Sequence, residues 1–322
     1  MRYGQNPAKL IAEVAQPEKI TVAVVTYIPF LEGYYAESLD ILKLCLGSIR
    51  ENTDRPYDLL VFDNASCPEV RSYLVSVRDQ GRIQYLVLSD KNVGKGGAWN
   101  IIFSAAPGQF VAYADSDVYF HPGWLPAQLA LFDEFPNLGM VTGAPLRIPE
   151  EFSTSTIEWV AANPEACLER GVLLSWEDWW KHARSLGIET EEEGRRLYAA
   201  NQDACLVRDG KRYYIGAAHF QFLARREVLQ RILPLPSKRP MGQVRSLDIA
   251  INEQGLLRLS TPEWWVEHLG NTLQGSDFAA QDLAGMHPSQ PASRNGSFRS
   301  WQPLRRALLW LHDRTFDLLY RN

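Results

Sequence analysis

Two carboxylates one residue apart, Asp115 and Asp117, follow directly on the apolar run Phe110 to Ala114. A run of that length with aromatic and β-branched members predicts a buried strand. Unpaired carboxylates at the end of such a strand are costly, so a cation is the expected partner. Hard oxygen ligands on a short turn suit Mg²⁺ or Mn²⁺, with substrate phosphates completing the shell. For an Asp-x-Asp pair taken alone, a helix cap or a plain turn is the competing reading.

The elements that position these acids decide between the two. Ile20 to Tyr27 is a nearly continuous apolar run, the signature of a parallel strand buried on both faces. Ser38 to Glu51 places Leu39, Leu42, Leu46 and Ile49 at helical spacing, with Ser38 as the expected cap. Tyr57 to Phe62 predicts a second strand, ending at Asp63-Asn64-Ala65-Ser66, and Pro68 to Asp79 a helix. Ile83 to Leu88 predicts a third strand. A glycine-rich loop, Asp90 to Asn100, then runs into a helix before the strand that carries Asp115. Strands alternating with helices demand a mostly parallel sheet with right-handed crossovers, and ligands of such sheets sit outside the carboxyl ends of the strands. Thr26, Asp63, Asn92, Asp115 and Asp117 all fall at those ends, which points to one nucleotide-like site.

Beyond Asp117 the pattern predicts a helix over His121–Phe135 and a strand over Gly139–Pro145. Glu150 to Arg212 reads as a charged, Trp-rich, helical stretch. Strand character returns over Tyr213–Leu223, followed by helices over Arg226–Ile232 and Ser246–Leu257 and strands over Leu256–Ser260 and Glu263–His268. A Gly/Ser/Pro/Gln-rich stretch from Leu273 to Ser300 reads as irregular, and Trp301–Tyr320 as an amphipathic helix for docking, dimer contact or a membrane surface. The expected organisation is an N-terminal extension (1–19), a first half that carries the strand-end residues (20–118), a second half (119–272) with a helical insertion near 150–212, and a C-terminal tail (273–322).

Of the 322 residues, 46% are hydrophobic and 22% charged, with a net charge of -5, so a folded globular chain is expected. No basic block interleaves with aromatics, which argues against nucleic acid. The four cysteines are widely spaced without a C-x-x-C, so reduced thiols are expected rather than disulfides or a zinc site. Met1 to Lys19 has no apolar leader character, and no run is long enough to span a bilayer. A cytoplasmic address follows as the expectation.

The order Val22-Ala23-Val24-Val25-Thr26-Tyr27, then Asp63-Asn64-Ala65-Ser66, then Asn92-Val93-Gly94 with Gly96-Gly97-Ala98 and Asn100, then Asp115-Ser116-Asp117, resembles family 2 glycosyltransferases of the GT-A fold. The resemblance covers roughly residues 20–270. It implies an α/β GT-A (Rossmann-like) sheet and transfer of a sugar from a nucleoside diphosphate sugar, with UDP-sugars foremost. The acceptor would be a glycan, a lipid-linked sugar or a small molecule.

It also implies site roles. Thr26, Tyr27 and Asp63 would bind the nucleoside, although Asp63 also suits an Asx-turn. Asn92, Gly94, Lys95, Gly96 and Asn100 would lie along the sugar-nucleotide, with Asp115 and Ser116 beside the ribose. Asp117, Asp115 and His268 would hold Mn²⁺ or Mg²⁺. The resemblance places the base at Asp248, where Leu247 replaces the family's usual Glu; Glu253 is the fallback. Gly216 and His219 would face the acceptor, and Trp179, with Trp176 and Trp180, offers an aromatic face either for sugar or for core packing. Inversion is the expected stereochemistry, with retention as the alternative. The rival readings are a sugar-nucleotide-binding module with reduced turnover, for which Leu247 speaks, and a sugar-nucleotide pyrophosphorylase. The second would want a Gly/Arg/Lys-rich first loop, and Tyr27 to Gly33 lacks one.

Overall fold

The computed structural model describes residues 6–239 and 244–273. The expected alternation is present. In chain order come β1 (Ile20–Thr26), α1 (Ser38–Asn52), β2 (Asp58–Asn64), α2 (Pro68–Asp79), β3 (Tyr85–Ser89), α3 (Gly94–Ala105) and β4 (Phe110–Asp115). After the acidic turn come β5 (Val118–Phe120), α4 (Trp124–Glu134), β6 (Leu138–Thr142), α5 (Thr154–Ala162), β7 (Ala166–Gly171), α6 (Trp176–Ser185) and α7 (Glu191–Ala200). The described chain closes with β8 (Asp203–Arg208), β9 (Lys211–Ile215), β10 (Gln221–Arg225), α8 (Arg226–Arg231), α9 (Arg245–Glu253), β11 (Leu257–Ser260) and β12 (Val266–His268). The helix expected over 301–320 and the irregular stretch before it lie outside the described residues, apart from Leu273 itself.

One sheet runs β3-β2-β1-β4-β10-β6-β11-β9-β8-β7, and β5 pairs separately with β12. The pairs β3/β2, β2/β1, β1/β4 and β6/β11 are parallel, while β10 runs antiparallel to both β4 and β6. Side chains of β1 alternate between two buried faces. Val22 and Val24 pack with Leu42, Cys45 and Ile49 of α1, and Ala23 packs with Phe62, Trp99 and Phe103 on the other side. A strand covered twice needs apolar residues at every position, which is why this run does not alternate in sequence.

Three details depart from the sequence reading. Ser38 is the first residue of α1 and caps nothing; Glu37 precedes it at the N-cap, without a capping side-chain bond. The glycines of the expected loop lie inside α3, where a Cβ on Gly97 would meet Val93 at 2.9 Å and one on Gly96 would run into the Pro236 carbonyl. Close packing, rather than an open loop, is therefore what these two glycines serve. The third departure is the stretch 150–212, which holds β7 and β8 as well as helices and extends the sheet.

Candidate active site

Parallel register brings the strand ends together. Thr26 of β1 stands opposite Asp63 of β2, and Val25 opposite Asp115 of β4. The chain returns along β10, so that the Asp115 N–H donates to the Phe220 carbonyl at 2.7 Å, with His219 one residue further back. The β5/β12 pair sets His268 opposite Val118, and the Leu269 N–H donates to the Asp117 carbonyl at 2.7 Å. Residues more than 150 positions apart thus meet at one rim because two short strands pair there.

The two acids have different surroundings. Asp115 accepts from the Tyr113 hydroxyl at 2.6 Å and from Lys95 Nζ at 2.5 Å. Lys95 stands one helical turn before Trp99, and its ammonium lies 5.5 Å from that ring and 5.7 Å from the Tyr113 ring. Trp99 is fully buried, so the core fixes α3 and α3 fixes the lysine. Burial raises the Asp115 carboxyl above its ordinary range, opposed by Lys95 and reinforced by the charge of Asp117. Asp117 Oδ2 lies 3.4 Å from His268 Nε2, while its Oδ1 is buried without a partner among the described residues. Burial alone would raise this carboxyl, but His268 holds it below the ordinary range. His268 is raised in turn, because Asp117 outweighs the burial that would lower it, and its Nδ1 is fixed by the Ser185 hydroxyl at 2.9 Å.

A divalent cation fits part of this set. Asp117 has a buried oxygen that nothing satisfies, and a long pairing with an imidazole stands beside it, a donor set suited to such an ion. Asp115, expected as a third ligand, is turned to Lys95 and Tyr113. No cluster of three His, Cys, Asp or Glu side chains that could hold a metal forms among the described residues. The protein therefore offers Asp117 and His268, and a bound ion would depend on substrate oxygens and water for its remaining ligands.

Among the residues expected to bind the nucleoside, Asp63 is sealed from solvent and closes a turn by accepting the Ser66 N–H at 3.1 Å. It also accepts from Arg71 Nε at 2.9 Å, and Arg71 reaches Asp90 at 3.1 Å. Asn64 and Asn92 lock the entry to α3: Asn64 Oδ1 accepts the Val93 N–H at 2.8 Å, and Asn92 Oδ1 accepts the Gly94 N–H at 2.8 Å and the Asn64 amide at 3.0 Å. Gly94, at φ +70°, makes the turn into the helix. Thr26 Oγ1 is buried and unbonded, and Tyr27 is exposed beside the edge-on ring of Tyr35. Ser116 sits half-buried in the acidic turn. Asn100 is committed elsewhere, its amide bonded both ways to the Leu235 backbone at 2.7 and 2.9 Å.

Among the residues expected to serve the acceptor, Asp248 occupies the first turn of α9, fully buried. Its Oδ1 meets His219 Nε2 at 2.8 Å and Arg258 Nη2, and its Oδ2 meets Arg245 Nη1 at 3.0 Å. Burial opposes ionisation, but His219, Arg258 and Arg245 hold the carboxyl below its ordinary range. Glu253, the fallback base, ends the same helix. Gly216, expected to face the acceptor, is closely packed instead: a Cβ there would stand 2.6 Å from Ile148 Cβ and 2.9 Å from Ser153 Oγ, on a backbone at φ +88°. We expect Gly216→Ala to cost about 2–4 kcal/mol through strain and overpacking, read as a lower denaturant midpoint.

Trp179 is held in the packing of the 150–212 stretch, stacked on Trp176 at 5.7 Å and tilted against Tyr198 at 5.5 Å. Two α6 residues reach the rim, Ser185 on His268 Nδ1 and His182, whose ring lies 6.0 Å from His268 and 5.5 Å from Phe220. Burial pushes His182 down to about 3, and its Nδ1 has no partner. Sequence reasoning gave no role to His182, Ser185, Arg71 and Arg258, and quoted Asn64 only as part of its motif. Arg258 alone left a signal there, as a charge in the apolar strand pattern Leu257-Arg258-Leu259.

The large, mostly parallel sheet flanked by helices has the GT-A fold, and acids, imidazoles and a lysine gather at the carboxyl ends of its strands. Residues 33–182 match the family model for glycosyl transferase family 2. A stretch of 100 residues is 25% identical to an uncharacterized glycosyltransferase of Nostoc sp. and covers 31% of either chain. Among solved structures, GalNAc-T7 with UDP, GalNAc and Mn²⁺ aligns with a TM-score of 0.50 at 15% identity, over 81% of this chain and 45% of that one. The mannosyltransferase PcManGT of Pyrobaculum calidifontis with GDP-Man and Mn²⁺ aligns at 0.43 with 18% identity, over 77% and 56%. The chain spans about a third of the length of the curated relative and about half of these solved chains. Among the described residues no helix is long and apolar enough to cross a membrane.

Proposed function

We propose that the protein transfers a sugar from a nucleoside diphosphate sugar to an acceptor hydroxyl, with inversion at the anomeric carbon. The observation that carries this reading is the buried Oδ1 of Asp117, unsatisfied among the described residues, on a carboxylate whose Oδ2 lies 3.4 Å from His268. The family match supports it, and the UDP bound by the structural relative GalNAc-T7 suggests the donor class, with UDP-sugars foremost. A Mn²⁺ or Mg²⁺ ion held by Asp117 and His268 would neutralise charge on the departing diphosphate.

The chain's own groups do the rest. Lys95, at the start of α3, brings positive charge to the rim where a diphosphate would lie. Tyr27 offers a ring to the base, and the Asn64–Asn92 pair holds the entry to α3 in place. The Asp248 network stands on the acceptor side as the proton sink. A thermal-shift screen of UDP-, GDP- and dTDP-sugars, with and without Mn²⁺, tests the reading. One donor is expected to raise Tm, and more so with metal, because a ligand bound only by the native state stabilises it. A flat response to every donor would remove the proposal.

A further inference from the structure

We propose that His219, oriented by Asp248, is the base that takes the acceptor proton. The inference rests on the glycosyl-transfer reading and replaces direct proton removal by Asp248. Access decides between the two residues. The Asp248 side chain is 0% exposed and that of His219 is 13% exposed, so an acceptor reaches the imidazole and not the carboxylate. Both Asp248 oxygens are already engaged, Oδ1 by His219 and Arg258 and Oδ2 by Arg245. Arg258 is itself sealed and donates to the Phe152 and Ala217 carbonyls, so it has no other position to move to.

A carboxylate can only accept, so His219 Nε2 carries the hydrogen and Nδ1 carries the lone pair. Nδ1 has no hydrogen-bond partner among the described residues. The ring also stands in the right place. The Phe220 carbonyl beside it binds the Asp115 N–H, and its centroid lies 5.9 Å from Trp99 on the helix that carries Lys95. The charged groups facing it are Asp248 and Arg245 from α9, Arg258 from β11 and Lys95 from α3. Burial lowers the imidazole; Asp248 pulls it up, while Lys95 and Arg258 push it further down. It is therefore neutral near pH 7, the form that a base needs.

The step balances. The acceptor O–H bond breaks and its proton moves to Nδ1, while the oxygen's electron pair forms the bond to the anomeric carbon. The bond from that carbon to the diphosphate oxygen breaks, and its pair leaves with the diphosphate. Asp248 stabilises the imidazolium, which afterwards returns its proton to water.

His219→Gln tests this. The amide can still donate to Asp248 but has no basic nitrogen. With the donor selected by thermal shift, kcat for transfer is expected to fall about 10²–10³-fold, while UDP affinity and Tm stay at wild-type values. Wild-type kcat should fall as pH drops through a value below the ordinary imidazole range, and that acid limb should vanish in the variant. Transfer by His219→Gln within about tenfold of wild type, with the limb intact, overturns the proposal. Nitrogen-15 spectra of the full chain give a readout that needs no donor. They should show a neutral ring protonated on Nε2 at pH 7; the opposite tautomer or a charged ring overturns the assignment. A wild-type chain that binds no nucleotide sugar would instead sink the transfer reading, so the two failures are distinguishable.

Discussion

Asp117→Ala is expected to lower kcat/KM for the donor by about 10²–10³-fold while leaving Tm unchanged or slightly raised. The two halves of this expectation share one cause. Asp117 holds a buried oxygen with no partner, and a fold gains nothing from an unsatisfied buried acceptor. Removing the carboxylate does take away the charge opposite His268. Yet His268 is raised chiefly by Asp117 against its burial, so in the variant burial favours the neutral ring over a stranded charge. Stability is thus spared, whereas a divalent ion and the diphosphate behind it lose a carboxylate. Initial rates over a Mn²⁺ titration, with thermal unfolding in UDP plus Mn²⁺ and in UDP alone, read both effects. The metal-dependent part of the Tm rise should disappear in the variant. A variant that transfers within tenfold of wild type, or keeps the metal-dependent shift, would show that Asp117 is a turn residue and nothing more.

How far the sequence discloses this site depends on whether the partner is near in the chain. The strands β1, β2 and β4 and the helix α2 are written locally, in continuous apolar runs and in Pro68 at the first helical position. Acids at the ends of those runs locate the rim because a parallel sheet aligns its carboxyl ends. What each acid does there is not local. Asp115 and Asp117 look equivalent as a motif, but Lys95 claims one and His268 the other, and both contacts depend on tertiary packing. His182 reads as one more polar residue in a strongly amphipathic helix; only the pairing of β5 with β12 brings His268 against it. β7 is half-exposed at the sheet edge and carries Glu169 and Arg170, so its alternation is faint and the stretch reads as helix. The glycines of α3 signalled a loop because composition cannot tell a flexible glycine from one pressed against Pro236.

Asp248 was placed by its position at the start of a late helix, but its partners determine how it acts, and they make the largest stability prediction. Asp248→Ala leaves the Arg258 guanidinium sealed from solvent without its carboxylate, which is expected to cost about 3–5 kcal/mol and to lower Tm by about 10 °C. The penalty belongs to the uncompensated charge. Burial already pulls Arg258 down to about 10 with the carboxylate present. Replacing both partners, as Asp248→Leu with Arg258→Met, should therefore recover most of the loss. Acid provides an independent check. The folded carboxyl lies below its ordinary range, so its contribution is complete at neutral pH and fades as pH falls below that range towards the folded value. The wild type should lose stability in that window more steeply than the double variant. Both variants should transfer sugar poorly, since either leaves His219 without the carboxylate that orients it. Equal unfolding midpoints for the single variant and the wild type would mean that water reaches Arg258, and that the buried pair is not what fixes α9 against β11.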